Sequence, residues 1–213
     1  MHLMGDSTNE SGDLIERAGA GDMRALAEVL ERNRERLKQM VRTRLDPRLR
    51  GRLDPSDVIQ EAYLDAARRL PEYVRDPAVP FFLWLRKLTA QRLIDLHRQH
   101  LGAKMRDAGL EVSLYSGAFP QASSLSLAAQ LLGRFSSPSR AAMRAEIQIR
   151  VQEALNSMDA IDREILALRH FEMLTNGEVA QVLGIKNTTA SNRYVRALKR
   201  LTEVLESYPD LRP

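Results

Sequence analysis

Apolar side chains recur every three or four residues over most of the chain, a period that predicts helix rather than strand. Leu26, Val29, Leu30, Leu37, Met40 and Val41 share one face of a helix that Asp22 can cap. Asp54-Pro55-Ser56-Asp57 marks a second start. It supplies a capping carboxylate, a proline at the first helical position and an acid near the positive end of the helix dipole. The helix it opens carries Val58, Ile59, Ala62, Tyr63 and Ala66 and is expected to stop before Pro71. Pro77 and Pro80 punctuate a loop, and Phe81-Phe82-Leu83-Trp84-Leu85 then opens a helix to about His100. Ile147, Val151 and Leu155, followed by Ile161, Ile165, Leu166 and Leu168, carry the same period. No alternating strand pattern interrupts it, so the expected fold class is all-α.

One stretch breaks the pattern. Of the 37 residues from Asp107 to Met143, 20 are Gly, Ala, Ser or Pro, and four are charged. Such a segment buries little per residue and predicts a linker. Two readings of its apolar pieces, Leu110 to Tyr115 and Leu125 to Leu132, stay open: they lie on a partner surface, or they belong to a loose tether. The expected organisation is therefore a helical domain over 1–106, a flexible linker over 107–143 and a second helical domain over 144–213.

Residues 175 to 201, TNGEVAQVLGIKNTTASNRYVRALKRL, carry the clearest mechanism. Thr175 and Glu178 have capping-box spacing for a short helix through Val179, Ala180, Val182 and Leu183. Gly184 can take positive φ and end that helix, Ile185 would plug the core, and a second helix starts near Asn187 or Thr188. This is a helix-turn-helix pattern. The outer face of the second helix holds Thr188, Thr189, Ser191, Asn192, Arg193, Arg196, Lys199 and Arg200. From Lys186 to Arg200 there are five basic residues and no acid. Arg and Asn can read base edges in the major groove while Thr, Ser and Lys hold phosphates. A solvated amphipathic hairpin is the bland alternative, and the capping box, turn glycine and acid-free face together favour DNA.

Charge and composition narrow the class further. The net charge of +4 and a pI near 9.6 suit a polyanionic partner. Cysteine is absent, which excludes disulfides, thiol catalysis and cysteine zinc sites and fits a reducing, cytoplasmic setting. No basic patch followed by an apolar core opens the chain, so no secretory signal is expected. Enzymatic chemistry finds no footing: His97 and His100 lack a third ligand, and no Walker-type glycine loop or nucleophile elbow occurs. No metal or cofactor is expected, and the chain is not read as an enzyme.

Beyond this, the residues resemble a family. DPSDVIQEAYLDAARRL (54–70) is similar to the D-A-E-D-L-V-Q-E-x-F-L-x-A helix of extracytoplasmic-function (ECF) sigma factors, minimal members of the sigma-70 family. FFLWLRKLTAQRLIDLHR (81–98) resembles their next helix, F-x-x-W-L-x-R-I-A-x-N-x-x-x-D-x-x-R. Residues 151 to 201 resemble the sigma-4 domain, including its L-P-x-x-x-R-E over Leu155 to Glu164 and L-G-I at Leu183 to Ile185. The leader and RLDPRLRGRLDPSD resemble planctomycete members.

The resemblance implies a sigma-2 domain, a sigma-4 domain and a role in transcription initiation, with the nucleoid as its place of work. The acidic helix would dock on the β′ clamp of RNA polymerase core through Asp54, Asp57, Gln60 and Glu61, and sigma-4 would lie at the β flap and the −35 element. The following helix would read and melt the −10 element through Gln91, with Arg92, His97, Arg98, Lys104 and Arg106 on phosphates. Gln91 stands where the family has Asn, and Trp84 is assigned to the core. Ser56 stands where the family has an acid, which suggests weaker or adjustable docking. A serine/threonine kinase could add about −1.5 to −2 charge there, at a helix start that favours it. An anti-sigma factor is a further implied partner. The basic run from Arg32 to Arg52 is read as a solvated helix face. Two rivals remain: a stand-alone helix-turn-helix regulator binding operators without polymerase, and a helical adaptor that binds protein only.

Overall fold

The computed structural model describes residues 6–101, 122, 124, 127, 128 and 141–206, and among them every regular element is helical. Four helices form the N-terminal set: α1 (Asp6–Gly19), α2 (Met23–Arg44), α3 (Pro55–Arg75) and α4 (Phe81–Leu101). Four more form the C-terminal set: α5 (Ala141–Asn156), α6 (Ala160–Leu166), α7 (Asn176–Leu183) and α8 (Asn187–Glu206). The protein is thus all-α, as its periodicity predicts.

The starts follow the capping chemistry. Asp22 accepts from the N–H groups of Arg24 and Ala25 at 2.9 and 3.1 Å, and Asp54 accepts from Ser56 N–H at 2.6 Å ahead of Pro55. These bonds satisfy donors that the first helical turn leaves without a partner. Leu37, Met40, Val41, Ile59, Leu70, Leu85 and Leu93 fill the interior of the first set. Tyr63 donates its hydroxyl to the Leu30 carbonyl at 2.6 Å, pinning α3 to α2.

Two expectations need correction. Helix α3 does not stop at Pro71 but continues to Arg75. The ring removes one intrahelical donor, and the packing of the last turn carries the helix past it. Tyr73 stacks on Trp84 at 4.7 Å between centroids and donates to the Val79 carbonyl at 2.9 Å. Val74 lies so close to Gly19 that a Cβ there would sit 2.7 Å from a Val74 methyl. Also, the segment before Asp22 is not a bare leader: α1 buries Leu14 and Ala18 against the set.

Within the expected linker, Ala122, Leu127 and Ala128 are buried in a cluster with Ile147, Val151, Leu155, Phe171, Ala197 and Leu201. At these positions the packed reading holds, and the surface they lie on belongs to this chain. Leu110 to Tyr115 lies outside the described residues.

The two sets share a core. Ile165, Leu168, Leu174, Val179 and Leu183 of the second pack in one apolar cluster with residues of the first. At its centre are four charges. Arg44 Nε donates to Glu172 Oε1 at 2.8 Å, Arg86 Nε donates to Glu172 Oε2 at 2.6 Å, and Arg44 also pairs with Glu164. The side chains of Arg44 and Glu172 are fully buried. Burial alone would push the Glu172 carboxyl up, but Arg44 and Arg86 outweigh it and hold it below its ordinary 4.5. A π-helical turn, Ala167–Phe171, sets the register of Glu172, and Met173 follows at φ 59, a left-handed conformation unusual for a side chain of its size.

Gly184 caps α7 at φ 62, and nothing stands within 4 Å of where a Cβ would lie. Gly184→Ala is therefore expected to cost about 1 kcal/mol through backbone strain alone, and Gly184→Asn distinctly less. Denaturant midpoints of the three proteins test this, and an alanine variant as stable as the parent contradicts it.

Candidate nucleic-acid interface

The helix-turn-helix is built from its caps inward. Glu178 N–H donates to Thr175 Oγ1 at 3.2 Å and Thr175 N–H donates to Glu178 Oε2 at 2.7 Å, so both halves of the capping box are made. At the other end Ile185 N–H reaches the Ala180 carbonyl at 3.0 Å across the turn. Ile185 is half-buried against the core. Asn176 Nδ2 donates to the Asn187 carbonyl at 2.9 Å, which ties the start of α7 to the start of α8. Buried Ala180 and Ala190 leave room for the two helices to approach.

Helix α8 then has two distinct faces. Ala190, Ala197 and Leu201 are buried, whereas Thr188, Ser191, Asn192, Arg196, Lys199 and Arg200 are exposed and Thr189 and Arg193 half-exposed. The eight candidate residues thus share one acid-free outer surface. Arg193 is not loose on it. Its Nη1 donates to Asp162 Oδ1 at 2.6 Å, and Arg196 Nε lies 3.7 Å from Asp162 Oδ2. Asp162 is buried at the first turn of α6, so a carboxylate 31 residues upstream fixes the direction of the central arginine. Nothing in the local motif signals it. Arg169, over the Tyr194 ring at 5.1 Å, braces the same helix from behind.

The second group of candidates lies on α3 and α4. Asp54, Asp57 and Gln60 are exposed together on the first turns of α3. Ser56 is half-buried beside them, and its N–H holds the Asp54 carboxyl below its usual range. Glu61 is partly turned away and pairs with Arg92 of α4. That contact joins an expected polymerase-docking residue to an expected −10 residue. Gln91 is exposed and donates to Asp95 Oδ1 at 3.2 Å, and Arg98 is exposed. His97 differs: it is buried, and its Nε2 accepts from Asp46 N–H at 3.3 Å. It braces the α2–α3 connection from inside and does not share the surface of Gln91 and Arg98. Lys104 and Arg106 lie outside the described residues. Trp84 packs with Tyr73 and Phe81 as a half-buried aromatic group, in line with its core assignment.

The run from Arg32 to Arg52 is only partly a solvated face. Arg44 is buried, and Arg36 stacks on the Phe82 ring at 3.5 Å while donating to the Met173 carbonyl at 3.3 Å. A cleft of about 520 Å³ opens beside these contacts. Tyr73, Trp84, Lys87 and Gln91 line it from one helical set, Gln181 and Val182 from the other.

Comparison with known proteins sets this geometry in context. The family model described as "Sigma-70, region 4" matches residues 148–201, the span from α5 through the helix-turn-helix. The ECF RNA polymerase sigma factor SigD of Mycobacterium tuberculosis is 31% identical over 199 residues, 92% of this chain and 84% of that protein. The RNA polymerase sigma-H factor of Pseudomonas aeruginosa is 29% identical over 195 residues, 91% of this chain and 92% of that one. Among solved structures, CnrH in complex with the cytosolic domain of CnrY superposes with a TM-score of 0.54 at 22% identity. That likeness covers 93% of this chain and 99% of CnrH, and it supports the fold.

Burial of His97 lowers its pKa below the ordinary 6.5, against a smaller opposing pull from Asp46. The unfolded chain then takes up a proton that the folded protein refuses. Stability contributed by this site is complete above that value and falls as pH drops through 6.5. Thermal midpoints are expected to decline between about pH 7.5 and 5.5, and His97→Gln should flatten that decline. Equal slopes for the two proteins contradict the assignment.

Proposed function

The chain belongs to the ECF RNA polymerase sigma factors, and from that membership we propose how its residues divide the work. As a sigma factor it acts with RNA polymerase and promoter DNA in transcription initiation. Our reading is that the helices over 1–106 form the sigma-2-like domain, 144–213 the sigma-4-like domain and 107–143 the connection. The observation that carries it is the outer face of α8, exposed, basic and free of acid, presented by a capped turn.

On this reading Asn192 and Arg193 read −35 base edges, with Asp162 holding Arg193 in one direction. Thr188, Thr189, Ser191, Arg196, Lys199 and Arg200 supply phosphate and sugar contacts. Asp54, Asp57 and Gln60 form the anionic patch for the β′ clamp, and carboxylates so placed steer a basic partner surface. Gln91, Arg92 and Arg98 serve the −10 element, and the exposed amide of Gln91 can pair with a base edge. The solution of CnrH with a second protein supports an anti-sigma-type partner for this chain as well. No helix among the described residues is long and apolar enough to cross a membrane, which accords with a cytoplasmic site of action. The reading requires no catalytic residue and no cofactor, since RNA synthesis is the chemistry of the polymerase.

Run-off transcription with added core enzyme on genomic fragments, including the region upstream of the chain's own coding sequence, tests the reading. A core-dependent transcript with a defined start is expected; duplex binding without any transcript would favour a stand-alone regulator. Within that assay, Arg193→Ala should weaken −35 recognition by about 1–3 kcal/mol and relax discrimination. Lys199→Ala should weaken specific and scrambled duplexes alike and lower the salt slope. Equal loss on both duplexes for Arg193→Ala contradicts its base-reading role.

A further inference from the structure

The two promoter elements that this reading assigns to the chain lie about 25 base pairs apart, a span of about 85 Å at 3.4 Å per step. A compact chain of 213 residues has a radius of gyration of about 17 Å, or a diameter of about 45 Å. With both helical sets packed on one core, the α8 face and the Gln91 helix cannot reach both elements together. The outer faces themselves are open. What the closed arrangement denies is their separation.

The contact that maintains it is built from charge. Arg44 on α2 and Arg86 on α4 face Glu164 on α6 and Glu172 just after the π-helical turn. Arg36 adds a second strand of contact, to the carbonyls of Glu172 and Met173 and to the capping-box residue Glu178 at 3.4 Å. Every cation comes from the first set and every anion from the second. Within the interface these groups have lost their hydration, and the opposing charges are what offsets that loss. When the sets part, all of them regain water, which lowers the cost of opening relative to an apolar interface of the same size.

We propose that the Arg44–Arg86–Glu164–Glu172 cluster is a releasable clasp that keeps the two DNA-reading domains closed, so that its opening precedes promoter engagement. The proposal rests on the sigma-factor reading above. Glu172 is its keystone, since its two carboxylate oxygens serve Arg44 and Arg86 separately. Replacing it with Gln leaves two buried arginines short of an anion, and separating the domains relieves them without unfolding either one.

The test compares the full-length protein with Glu172→Gln, with Arg86→Gln, and with Arg150→Gln, whose exposed partner Glu153 lies on the same helix. Small-angle scattering of the free proteins should give a larger radius of gyration for the two clasp variants and none for the control, with far-UV circular dichroism unchanged. Affinity for core polymerase should rise by about threefold or more, as the competent fraction rises. Unchanged scattering in both clasp variants overturns the proposal. So does loss of helix in both, because the cluster would then be a requirement of the fold. Scattering needs no polymerase, so failure of the wild type to support any transcript strikes the functional reading separately from the clasp.

Discussion

A fully buried carboxylate shared by two arginines governs how this protein is put together. Glu172 and Arg44 have no exposed side-chain surface, and a charge so placed persists only beside a hydrogen-bonded opposite. Removing one member of such a group typically costs about 3–5 kcal/mol, because the remaining charge is stranded. The net worth of the assembled cluster is far smaller, since desolvation has consumed most of its Coulombic attraction. Its consequence is arrangement: Glu172 meets Arg44 and Arg86 only if the π-helical turn, the α2 terminus and the start of α4 lie in one register. Apolar contacts between Leu168, Leu174 or Leu183 and the first set tolerate sliding, whereas paired guanidinium and carboxylate groups do not.

The recognition surfaces are organised by a second, more local layer of physics. Thr175, Glu178 and Gly184 define the ends of α7, and Asn176 fastens them to α8. Buried Asp162 then selects the direction of Arg193. In the other set, Asp54 caps the helix whose first turns carry the anionic patch, and the Glu61–Arg92 pair links that helix to the one bearing Gln91. Each surface is thus ordered within its own helices before any DNA arrives, which reduces the ordering cost of binding.

How much of this was legible follows from the range of each interaction. Helix starts at Asp22, Asp54 and Thr175 and the turn at Gly184 depend on residues within four positions of one another, and all were readable. The outward face of α8 was readable for the same reason. Pro71 misled because a local rule was overridden by the distant stacking of Tyr73 on Trp84. The cluster was invisible because its partners lie about 80 to 130 residues apart and each looks ordinary in its own segment: Arg44 sits in a basic run, Arg86 at an unconstrained motif position. His97 matched a phosphate-contact position by pattern, yet its burial against Asp46 depends on how α4 crosses the α2–α3 connection.

The absence of cysteine makes the decisive measurement direct, since spin labels can be placed at two introduced cysteines without background. Met23 and Ile149, both exposed and outside the proposed contact surfaces, report on the two domains. Inter-label distances should be measured in the free protein and in the complex with core polymerase and promoter DNA. The account predicts a single short distance for the free protein and a much longer one in the complex. An extended free protein, or one short distance in both states, would contradict it.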